Sequence, residues 1–136
     1  MKVVIDTNVF MAGLLKDSIT REILLSEKIN FYLPEYALGE VKKYKTDLLS
    51  KGNYDENELD ELFLFLLENI VIVSKKDIKD YMKVADEIMK DIDIDDSSFI
   101  ATALAINADG IWSFDKHFLQ QDKVKVISTD ELKGML

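Results

Sequence analysis

The stretch VVIDTN, residues 3–8, sets three β-branched residues directly before a carboxylate, a hydroxyl and an amide. Val3, Val4 and Ile5 read as a short buried strand, and the abrupt change of polarity marks its exit from a sheet. Asp6 therefore stands at a strand's carboxyl end, the edge at which open α/β sheets bind ligands. Asp6 or Asn8 equally suits the cap of a helix beginning near Val9. Both readings stand until other acids are placed.

Outward from this strand, assigned to residues 2–5, apolar runs alternate with helical periodicity. Helical material follows in NVFMAGLL (8–15) and TREILLSEKI (20–29), with Gly13 and the segment Lys16, Asp17, Ser18 at their boundary. NFYL (30–33) reads as a second strand, and Pro34 is placed to open the next helix, where a missing N–H is harmless. That helix is expected to run to Gly52, with Gly39 a costly interior residue. A long helix over 54–70 enters the core, IVIV (70–73) forms a third strand, and helical periodicity resumes over 77–90 and 96–108. GIWSF (110–114) and KVKVI (123–127) read as strands, and 128–136 as a terminal helix capped by Ser128 or Thr129. Strands separated by helices imply right-handed crossovers and a mainly parallel sheet covered on both faces.

The 136 residues, 48% of them hydrophobic, suit one domain over 1–136 with a sizeable core. There is no cysteine and one histidine, His117. Thiolate catalysis, cysteine zinc sites and histidine-cluster sites fall away, and carboxylates remain as the abundant reactive groups. Cysteine-free composition suits a reducing cytoplasm, the expected location. A net charge of −9 argues against adsorption to anionic membranes and against a simple basic nucleic-acid binder. It leaves room for a nucleic-acid enzyme whose acidic pocket is neutralised by bound cations. The opening residues lack the long apolar run of a signal peptide, and LFLFLLENIVIV (62–73) is too short to span a bilayer.

Three further acids sit beside apolar patterns. Ala37, Val41, Tyr44 and Leu48 form a core-facing helical stripe with Glu40 at its margin, as an inward acid or a surface glutamate paired with Tyr44 or Lys43. Asp96 precedes the stripe Phe99, Ile100, Ala103, Leu104, as a site residue or as a first-turn acid stabilised by the helix dipole. Asp91, Asp93 and Asp95 read as groups around a site or as solvated loop acids. Asp115 follows the buried Ile111 and Trp112 and repeats the placement of Asp6. Four such carboxylates at one sheet edge repel one another when empty, and Mg²⁺ or Mn²⁺, as one or two ions, would neutralise them.

VVIDTNVFMAGLL (3–15), EYALGEVKKY (35–44), DDSSFIATALAINADGI (95–111) and WSFDKHF (112–118) occur in the order seen in PIN-domain nucleases. The chain resembles, over essentially its whole length, the small single-domain branch that includes VapC-type toxins. The resemblance implies an α/β/α sandwich with a central parallel sheet and catalytic, metal-holding acids at Asp6, Glu40, Asp96 and Asp115. It also implies polar supporting residues at Asn8 and Ser113. All four acidic positions are filled.

The leading expectation is hydrolysis of RNA phosphodiesters with a divalent metal, which replaces a nucleophilic serine or cysteine. Lys42, Lys43, Lys45, Lys116 and His117 are candidates for holding phosphates, with a solvated helix face as the other reading of the first three. Tyr36, Tyr44 and Phe118 are candidates for base stacking or for packing. The resemblance implies an antitoxin partner, and NVFMAGLL and ELFLFLLENI (61–70) offer a homodimer or antitoxin surface unless they are core. Competing readings are a noncatalytic metal-binding regulatory or assembly module, and a metal-dependent phosphomonoesterase. Asn8 weakens the last, because no acid stands two residues after Asp6.

Overall fold

The computed structural model describes residues 1–15 and 18–136, so Lys16 and Asp17 of the expected boundary segment lie outside the described residues. Five parallel strands form one sheet: β1 (Lys2–Ile5), β2 (Asn30–Pro34), β3 (Ile70–Val73), β4 (Gly110–Trp112) and β5 (Val126–Ile127). Their order is β3-β2-β1-β4-β5. The chain leaves β1 toward β2 and β3, then returns to the other side of β1 for β4 and β5. This reversal opens a crevice at the carboxyl ends of β1 and β4, where ligands bind in such sheets.

Helices α1 (Thr7–Gly13), α2 (Ile19–Leu24), α3 (Glu35–Lys43), α4 (Lys45–Gly52) and α5 (Glu56–Leu67) precede the second half of the sheet. Helices α6 (Lys75–Ile78), α7 (Met82–Met89), α8 (Ser97–Ala105) and α9 (Thr129–Lys133) complete the helices that flank it. Together they make an α/β/α sandwich. Helix α8 lies across β2, β1 and β4 and packs on α6 and α7, whereas α1 packs on α2 and α3. Among the described residues, no helix is long and apolar enough to cross a membrane.

The core is centred on β1, whose Val3, Val4 and Ile5 are fully buried. Trp112 of β4 is also fully buried, with its ring 6.0 Å from that of Phe31. Its indole N–H donates to the Thr129 hydroxyl at 2.9 Å, satisfying the one polar atom such a ring brings inside. Thr129 is thereby engaged with the core, and Ser128 caps α9 by accepting from the Glu131 N–H.

Several boundaries differ from the sequence expectation. Pro34 ends β2 and is the N-cap of α3, one position before the first turn. The helix expected through Gly52 breaks at Tyr44, whose N–H turns to Val41 O and whose carbonyl starts α4. No proline or glycine stands at the break. Beyond it Lys45 meets Glu56 and Asp60 of α5 at 2.8 and 3.3 Å, a tertiary contact that periodicity does not register. Tyr44, expected in the buried stripe, is consequently 46% exposed. The helix expected over 77–90 is interrupted by a 3-10 turn at Lys79–Tyr81, and the last strand shrinks to two residues. β3 is an edge strand, leaving Val71 and Ile72 exposed.

Close packing between the amino end of β4 and the β5 segment makes Gly110 sensitive. A Cβ at Gly110 would lie 2.8 Å from the Lys125 carbonyl oxygen and 2.6 Å from Ile127 Cγ1. Gly110→Ala is expected to cost about 2 kcal/mol by forcing β4 from β5. A urea melt showing an unchanged midpoint would contradict this packing.

Candidate active site

Asp6 stands at the carboxyl end of β1 and also begins α1. It is the N-cap of α1, with Oδ1 accepting the Val9 N–H at 2.9 Å. Its other oxygen, Oδ2, accepts a short hydrogen bond from the Ser113 hydroxyl. Ser113 Oγ also accepts the Asp115 N–H at 2.9 Å, so one hydroxyl ties the end of β1 to the loop after β4. Burial, reinforced by Asp115 and Glu40, pushes the Asp6 carboxyl above its ordinary range despite these hydrogen bonds.

Glu40 reaches the same crevice from α3 and accepts a short hydrogen bond from the Thr7 hydroxyl. Asp96 occupies the N-cap position of α8, yet its side chain makes no cap hydrogen bond. Its carboxylate is left to the crevice. Burial and then Asp93, Asp115 and Asp6 push it up to about 6, with His117 opposing. Asp115 accepts the His117 N–H at 2.9 Å through Oδ1 and caps the 3-10 turn Lys116–Gln120. Asp6, Glu40, Asp96 and Asp115, with Asn8, line one cleft of about 150 Å³.

Asp93 and His117, read from the sequence as a group around the site and a phosphate-holding candidate, lie together beside Asp96. His117 Nδ1 lies 3.2 Å from Asp115 Oδ2, 3.6 Å from Asp93 Oδ2 and 3.8 Å from Asp96 Oδ2. That nitrogen is buried and has no hydrogen-bond partner. Asp93, Asp96 and His117 offer ligand atoms all within 4.8 Å of one another. Setting histidine aside as a ligand type because only one is present overlooked that a single imidazole can complete a carboxylate set. Asp93 stands three residues before Asp96, and His117 two after Asp115; the spacing alone does not show that the two loops meet. Thr7 was missed because it reads as a helix-start residue.

Of the remaining candidates, Lys42 and Lys43 are exposed on α3, Lys116 is exposed beside Asp115, and Lys45 is committed to α5. Phe118 is a core residue, its ring 6.2 Å from that of Phe99, and so not a stacking surface. Within the two apolar runs, Val9, Phe10, Leu14 and Leu66 are core, whereas Leu64 and Phe65 are exposed. Partial burial and the surrounding acids, Glu40 foremost, raise the Tyr36 phenol above its ordinary range.

The donor set suits a hard divalent cation: carboxylate oxygens predominate, they repel one another, and one imidazole nitrogen lacks a partner. No curated protein matches the chain. A family profile described as PIN domain matches residues 4–135. With that match spanning nearly the whole chain, on a parallel sheet whose switch point gathers four acids, the protein belongs to the PIN domain family.

Proposed function

We propose that this chain is a divalent-metal-dependent endoribonuclease. PIN domains are nucleases, which supports phosphodiester chemistry in general. The observation that carries the reading is the convergence of Asp6, Glu40, Asp96 and Asp115 from four separate elements on one cleft at the switch point. A bound Mg²⁺ or Mn²⁺ would polarise the phosphate and lower the pKa of a water at neutral pH. Asp6, Glu40, Asp96 and Asp115 would hold it from the cleft they line, and Asp93 and His117 offer further ligand atoms beside Asp96.

The chain's own groups supply the orientation. Ser113 holds Asp6 and the Asp115 backbone together, and Thr7 holds Glu40, so the acids face the cleft in defined positions. Ser113 is engaged on both sides, which suits a positioning residue and not a nucleophile. Asp6 likewise has both oxygens engaged, which argues against the aspartyl attack of a phosphomonoesterase. Lys42, Lys43 and Lys116 are exposed cations available for phosphates.

A panel of unstructured and folded RNAs is expected to be cleaved with Mg²⁺ or Mn²⁺ and left intact with EDTA. Turnover of a phosphomonoester with no cleavage of any RNA would replace this reading with the phosphatase one.

A further inference from the structure

Three recesses meet along α3. The acid cleft shares Glu40 with a groove of about 420 Å³ that is lined by Tyr36, Gly39, Lys42, Lys43 and Lys75. On its other side it shares Asn8, Met11 and Tyr44 with a groove of about 370 Å³ that includes Lys51. The acids thus lie partway along a longer trough. Gly39 adds no side chain to its floor, and even a Cβ there would touch nothing within 4 Å.

Tyr36 and Glu40 share one stripe of α3 with about 6 Å of rise between them, and Tyr44, four residues further on at the break that ends the helix, lines the acid cleft together with Glu40. Both rings are open to solvent, at 38% and 46% exposure. Tyr36 is braced edge-on by Phe99, ring centroids 6.4 Å apart at 74°. Large exposed aromatics four residues to either side of a carboxylate match the alternation of base and phosphate along an extended strand.

Charge favours the same occupant. The chain carries −9 overall, so attraction of a polyanion must come from local cations. Among the described residues, ion pairs engage Lys45, Lys90 and Lys125, and none engages Lys42, Lys43 or Lys75. Three free ammonium groups line the Tyr36 groove. Glu35, also in that groove, accepts the Lys75 backbone N–H at 3.1 Å.

We propose that Tyr36 and Tyr44 are stacking platforms for single-stranded RNA, one base on each side of the bond presented to the acids, with Lys42, Lys43 and Lys75 holding the phosphates beyond Tyr36. The proposal rests on the ribonuclease reading and names the residues that would position its substrate. Unpaired bases expose the faces that aromatic rings stack on, whereas a duplex hides them. The trough therefore selects single strands without selecting a base.

The test is equilibrium binding of a fluorescein-labelled unstructured RNA, alone or annealed to its complement, with Mg²⁺ and Asp6→Asn as the cleavage-impaired parent. The single strand is expected to bind more tightly than the duplex. Tyr36→Ala and Tyr44→Ala, added singly, should each weaken binding roughly tenfold, while Tyr36→Phe and Tyr44→Phe, which keep the ring, should restore it. Lys43→Ala and Lys75→Ala should each reduce the salt dependence by about one phosphate contact. Alanine variants that bind like the parent, or duplex bound as tightly as single strand, would overturn the platforms and leave the nuclease reading standing. If the wild-type chain neither cleaves nor binds any RNA of the panel, the nuclease reading falls and the platforms fall with it.

Discussion

Asp6→Asn is expected to reduce metal-dependent RNA cleavage by more than the roughly 10–100-fold that losing an outer partner of a metal ligand costs. The substitution keeps shape and removes charge. Its amide oxygen can still accept the Val9 N–H that caps α1, and its amide nitrogen can face Ser113 in place of Oδ2. Because burial already disfavours the Asp6 carboxylate, the neutral variant should fold at least as well as the parent without metal. Ser113→Ala provides the graded comparison, with a loss inside that 10–100-fold range, since Asp6 keeps its charge and loses its tether. Initial rates on one RNA substrate, with circular dichroism as the control for folding, decide the matter. A folded Asp6→Asn variant cleaving at the parental rate would remove Asp6 from the chemistry.

Asp96→Asn should stabilise the metal-free protein and blunt its stability response to metal. The Asp96 carboxyl is raised from 3.8 to about 6 in the folded protein, so the native state binds the proton more tightly than the unfolded chain. Its contribution is therefore most favourable below 3.8 and is lost as pH rises through about 6. At neutral pH in EDTA the ionised group is a liability of up to about 3 kcal/mol, trimmed by solvent screening of this part-exposed side chain, and Asp96→Asn should recover it without losing a helix cap, because the side chain makes none. The gain should vanish in acid. Divalent cation at a hundredfold its Kd should stabilise the parent by about 2.7 kcal/mol and the variant far less. His117→Gln should weaken the Mn²⁺ response more than the Mg²⁺ response, because an imidazole nitrogen suits the softer ion. Thermal melts across pH, with and without metal, read all of this; an Asp96→Asn variant that gains nothing in EDTA and responds to metal like the parent would place the cation elsewhere.

Local sequence determined what depends on neighbouring residues. β1, the polar exit at Asp6 and the Ser128 cap follow from apolar runs ending in side chains that bond their own backbone, and such interactions form wherever the chain goes. The four acids could be named as candidates from strand ends, helix margins and the family resemblance, while their meeting in one cleft came from the tertiary structure. Tertiary structure decided what depends on distant partners. Tyr44 lies in register with Ala37 and Val41, yet it is exposed at the break before Lys45 and its ion pairs to α5. Phe118 follows Lys116 and His117 in a short 3-10 turn, yet it is buried on Phe99. Asp93 and His117 are 24 positions apart (117 − 93), and their approach depends on α8 crossing the sheet to deliver β4 beside β1. Periodicity reports which face of an element is apolar, but the pairing of loops is set by strand order, and strand order is a property of the whole packed sheet.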